Sequence, residues 1–100
     1  MKTNHLPQFV TIGGQRFKII IREMEDWGHL IFDLREIHLS SKACAKRSTL
    51  RETLRHEMLH AALHLSGVSF ADRYDEESTV RAIENIFFPA WEKTRKHLEP

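Results

Sequence analysis

Apolar and polar residues follow two different periods along this chain, and the change falls near residue 48. Before it the pattern is that of short strands. Residues 16–22 (RFKIIIR) are rich in β-branched side chains and follow a turn at Gly13-Gly14. Residues 30–34 and 37–40 read as two further strands joined by a tight turn at Leu34-Arg35-Glu36, with 23–29 (EMEDWGH) breaking the pattern ahead of them. From 48 to 66, Leu50, Leu54, Met58, Ala61 and Leu65 recur in steps of three and four, which predicts a helix. Ser48 or Thr49 can cap its start, Thr49 with Glu52 at capping-box spacing, and Gly67 stands where a left-handed stop is expected. After a loop at 68–74, a second helix opens at Asp72 or Asp75 and carries Val80, Ile83, Phe87 and Ala90 or Trp91 at helical steps. Pro89 removes a backbone donor and crowds the preceding turn, so a kink or break is expected near 85–88. Residues 1–8 read as a loose leader. Residues 92–100 form a C-terminal tail to a short amphipathic stretch with Trp91 and Leu98.

Strands followed by helices predict an α+β domain spanning 1–100: a small antiparallel sheet of about three strands packed on helix 48–66 and on the second helix. A chain of this length buries roughly 65% of its unfolded surface, enough for one modest core. Composition changes little, since 41% hydrophobic and 29% charged residues are ordinary for a globular protein. A net charge of +1 argues against nucleic acid as a partner. The basic residues Lys42, Lys46, Arg47, Arg51 and Arg55 that lead into the HEMLH motif and the acids Asp72, Asp75, Glu76 and Glu77 after the first helix read as solvated faces and helix-end charges. No membrane-length apolar run and no signal-peptide core are present, so a reducing, cytoplasmic location is expected and a membrane is not. The one cysteine, Cys44, reads as a free thiol near a loop, and Trp27 and Trp91 as core or interface aromatics.

The chemistry lies within the first helix. His56-Glu57-Met58-Leu59-His60 places two imidazoles one turn apart on one face, where both can reach a single Zn²⁺ at about 2.0–2.1 Å. Glu57, about 100° round the helix from His56, leans over the ion's open side and can act as a general base. His64 extends the stripe but lies ~12 Å from His56, too far to share the ion, and reads as a supporting or surface residue. A third ligand is therefore sought on the second helix. Glu77 is preferred, Glu76 is the alternative, and Glu84, two turns on, is a third option. Tyr74, His64 and Arg81 are candidates to stabilise an oxyanion, and strand 37–40 to offer an edge on which a peptide substrate pairs.

HEMLH, with a glutamate seventeen residues on, resembles the ligand set of gluzincin metallopeptidases. Over residues 16–90 the layout is similar to small ImmA/IrrE-like and phage-type metallopeptidases, on the strength of LRHEMLHAALH and EESTVRAIENIF. Ser78 and Arg81 stand where that type usually has alanine and an aromatic residue. The resemblance implies His56, His60 and Glu77 as zinc ligands and Glu57 as general base in hydrolysis of a peptide or protein. At this size the cleft is shallow, and a protein partner could complete it. The competing reading keeps the zinc only as a staple between helices, in a non-catalytic binding or regulatory module.

Overall fold

Phe17, Ile19, Ile37 and Leu39 line the inner face of a four-stranded sheet, and all four are buried. The computed structural model describes residues 6–68 and 75–98. Its strands are β1 (Phe9–Ile12), β2 (Gln15–Arg22), β3 (Gly28–Ile31) and β4 (Glu36–Ser40). Alternation along β2 sends Phe17 and Ile19 inward and leaves Lys18 exposed. The strand order is β1-β2-β4-β3. β1 and β2 form an antiparallel hairpin, β3 and β4 pair antiparallel, and β2 and β4 run parallel.

The expectation of about three antiparallel strands is corrected on both counts: the sheet has four strands and is mixed. β1 lacks a run of buried residues and so carries a weak pattern. The parallel pair arises because the chain leaves β2, lays down β3 at the sheet edge, and turns back to place β4 between them. That return uses a single 3₁₀ turn at Phe32–Leu34, where a strand was expected, and Arg35 at φ 55°. The Arg35 guanidinium holds the turn by donating to the Phe32 carbonyl at 2.5 Å and to Gln15 Oε1 at 3.2 Å. β4 is therefore an interior strand, and the free edge expected at 37–40 belongs instead to β3.

Helix α1 (Arg47–Ser66) lies on the inner sheet face. Leu50 and Ala61 are buried there, and Leu54, Met58 and Leu65 join the same core, as their spacing predicts. Lys46 occupies the cap position without a side-chain bond, so Ser48 and Thr49 fall inside the first turn. Gly67 ends the helix at φ 81°. Helix α2 (Glu76–Ala82) starts at Asp75, whose carboxylate accepts the Ser78 N–H at 3.1 Å, and it buries Val80. A widened π turn at Ile83–Phe87 then joins α2 to helix α3 (Phe88–Arg95). The break expected from Pro89 takes this form: the Phe88 N–H bonds the Ile83 carbonyl, and the proline sits in the first turn of α3, where no donor is missed. Beyond Val80 the predicted inner stripe does not reach the core, because Phe87, Ala90 and Trp91 are exposed.

The leader is tied down from Leu6, which packs on the core, while the Gln8 carbonyl accepts from the Ile19 N–H at 2.9 Å. Residues 1–5, Asp72 and Tyr74 lie outside the described residues. Cys44 is buried beneath α1, and burial pushes its thiol pKa up. Among the described residues no helix is long and apolar enough to cross a membrane.

Candidate metal centre

Four residues separate His56 from His60, and α1 turns that spacing into two Nε2 atoms 3.2 Å apart. Glu77 Oε1, from the first turn of α2, lies 2.6 Å from His60 Nε2 and 3.9 Å from His56 Nε2. Ligands about 2.0–2.1 Å from a tetrahedral ion stand ~3.3 Å from one another, the middle of that range. His56, His60 and Glu77 thus form a triad able to hold a metal ion, with one donor atom of each within 4.8 Å of the others.

The other ring nitrogens are engaged as well. His56 Nδ1 donates to Glu84 Oε1 at 2.9 Å, and His60 Nδ1 donates to Glu76 Oε2 at 2.5 Å. Each carboxylate fixes the tautomer that leaves Nε2 with its lone pair toward the triad, the usual arrangement behind metal-bound histidines. The three glutamates weighed as rival third ligands therefore divide into one donor, Glu77, and two orienting groups, Glu76 and Glu84. Burial draws the His60 pKa down, but the Glu76 hydrogen bond and the charges of Glu57, Glu77 and Glu76 outweigh it and leave the pKa raised. His64 is no ligand. Its Nε2 sits 3.4 Å from Glu76 Oε2 while its ring stacks on Phe32 at 4.9 Å between centroids.

Glu57 points from α1 toward β3 and is only 7% exposed. It fits because β3 presents Gly28 at that point. A Cβ on Gly28 would stand 2.9 Å from Thr53 Cγ2 and 3.2 Å from both Cγ and Oε2 of Glu57. Burial raises the Glu57 pKa, and Glu77 adds to the rise, while His56, His60 and His29 oppose it.

These groups line one cleft of about 950 Å³, walled by α1, the edge strand β3 and the start of α2. Trp27, expected in a core or interface, is 53% exposed at its mouth with Lys42 Nζ 5.1 Å from its ring centroid. Arg81 is not at the cleft: it is exposed, and its Nη2 donates to Ser78 Oγ. Tyr74 lies outside the described residues. Sequence reasoning missed the orienting role of Glu76 and Glu84 and the contribution of Gly28. The available signal was weak: two further acids, Glu76 and Glu84, on the same stretch of chain as Glu77. No family model matches the chain, and comparison with curated proteins and with solved structures found no match either.

Proposed function

We propose that the protein is a zinc-dependent metallopeptidase of gluzincin type. The observation that carries this reading is the division of labour among four carboxylates around two histidines: Glu77 as third ligand, Glu76 and Glu84 behind the rings, and Glu57 buried beside the triad without belonging to it. Two imidazoles and one carboxylate suit Zn²⁺. When bound, zinc would supply Lewis acidity, activating a water molecule and polarising the scissile carbonyl.

The chain's own groups supply the proton transfers. Glu57 accepts the proton that water loses as its oxygen adds to the carbonyl carbon, then delivers it to the amide nitrogen as the C–N bond breaks. Desolvation fits it to both roles by drawing its pKa toward neutrality. The free edge of β3 at the cleft wall offers backbone N–H and C=O groups on which an extended peptide can pair. A zinc staple is the weaker reading. Among the described residues no fourth His, Cys, Asp or Glu joins the triad, whereas structural sites are closed by four protein donors.

Glu57→Gln, assayed by mass spectrometry on a mixed peptide pool, should retain one zinc per chain and lose roughly 10²–10⁴-fold in hydrolysis. Unchanged turnover would remove Glu57 from the chemistry. A zinc-loaded wild-type protein that cleaves nothing in the pool would favour the staple.

A further inference from the structure

The segment from the π turn through α3 to Leu98, in the turn that follows the helix, is apolar on a face that nothing in the described structure covers. Phe87, Trp91 and Leu98 are 56%, 45% and 70% exposed, and Thr94, also exposed, stands between the last two. The steps from 87 to 91 to 94 to 98 are four, three and four, the spacing of a coiled-coil seam. Thr94 suits such a seam: its hydroxyl is satisfied within the helix, donating to the Ala90 carbonyl at 2.9 Å. Charges keep off the stripe. Glu92 and Arg95 pair with each other at 2.8 Å, and Lys93 and Lys96 lie to the sides.

We propose that this face is a homodimer interface in which α3 packs antiparallel against α3 of a second copy. A 4-3-4 pattern reads the same in both directions, so a two-fold axis between Glu92 and Lys93 sets Phe87 opposite Leu98 and Trp91 opposite Thr94. Charge decides the direction. Parallel packing would bring two sets of Lys93, Arg95 and Lys96 together, whereas antiparallel packing sets Lys93 against Glu92, and Arg95 and Lys96 against the uncharged Ala90 and Pro89, of the other chain. Phe87, Trp91 and Leu98 expose roughly 350 Å² of apolar surface per chain. With the flanking residues, two copies bury on the order of 1,000–1,200 Å², the low end of specific interfaces, which marks a weak, concentration-dependent dimer.

Sedimentation equilibrium of the full chain from about 5 to 500 µM tests this, with the mass expected to rise from 11.8 kDa toward twice that value. Trp91→Glu should hold the protein monomeric across the range with unchanged circular dichroism, and Thr94→Leu should tighten association at least tenfold. For direction, Ala90→Cys mixed with His97→Cys should form an interchain disulfide on oxidation, and Ala90→Cys alone should not. A monomer at every concentration, Thr94→Leu without effect, or efficient cross-linking of Ala90→Cys to itself would each overturn the proposal. None of these readouts depends on zinc or on hydrolysis, so the interface and the peptidase reading fail separately.

Discussion

His60 holds two carboxylates on one ring: Glu76 on Nδ1 and Glu77 at Nε2. Only the second belongs to the candidate metal triad, so substitutions of the two should separate. Glu77→Ala removes a ligand and should weaken zinc binding by well over 100-fold, while Glu76→Gln and Glu84→Gln should cost about 10–100-fold each. Competition with a chromophoric chelator measures all three, and equal losses would contradict the assignment of roles. The raised His60 pKa gives the pH dependence its sign. Zinc needs the neutral ring, so apparent affinity should decline by about tenfold per pH unit once pH falls below that raised value. The metal-free protein should behave in the opposite sense. A folded-state pKa above the unfolded one contributes stability that is complete below the ordinary imidazole pKa and is lost as pH rises through the folded value. Urea titrations of metal-free protein at several pH values test this. The sequence made the His56–His60 pair legible because its one-turn spacing brings two rings together, and it offered Glu77 as the preferred of three acids to complete the triad. It left the roles of Glu76 and Glu84 open because a carboxylate behind a ring and one in front of it differ by a small helix rotation.

At the scale of elements, α2 has only seven residues and carries Glu77, the third member of the candidate triad, in its first turn. A helix this short is marginal without help at its ends. Asp75 provides that help, accepting the Ser78 N–H and hydroxyl, and those bonds hold its pKa below the usual range. Asp75→Ala should therefore lower zinc affinity several-fold, and Asp75→Ser, which restores an acceptor, should recover most of it. Isothermal titration across the pair would reveal an identical loss if the cap did not matter. Helix α1 was readable because Leu50, Leu54, Met58, Ala61 and Leu65 repeat over about four turns. The sheet was less so. A four-residue strand such as β1 gives too short a pattern, and parallel pairing depends on where a loop carries the chain, which local periodicity does not encode. The π turn was half visible: Pro89 announced an irregularity, but a break and an extra residue in a turn look alike from the sequence.

Across the whole molecule, the sheet and α1 share one core, whereas α2 meets α1 through Val80 and the carboxylate–histidine contacts. Zinc bridging His56, His60 and Glu77 would add a bond between these two parts, with about 2.7 kcal/mol of stabilisation at a free zinc concentration 100 times Kd. Chelation should accordingly speed amide exchange first in 76–95 and leave β2, β4 and the middle of α1 protected. Hydrogen–deuterium exchange by mass spectrometry with and without chelator distinguishes this from uniform loosening.

Gly28 ties the two halves of the cleft to a single dimension. The strand passes so close to the helix that not even a methyl group fits between Thr53 and the Glu57 carboxylate. The floor that shelters Glu57 and the rail on which a peptide would lie in the proposed function are thus the same few backbone atoms. Reshaping the groove for a bulkier substrate by lifting that rail would let water in around Glu57, and its proton affinity would drift back to that of an ordinary glutamate. If the chain is the peptidase proposed above, substrate fit and acid–base tuning cannot be adjusted independently in it.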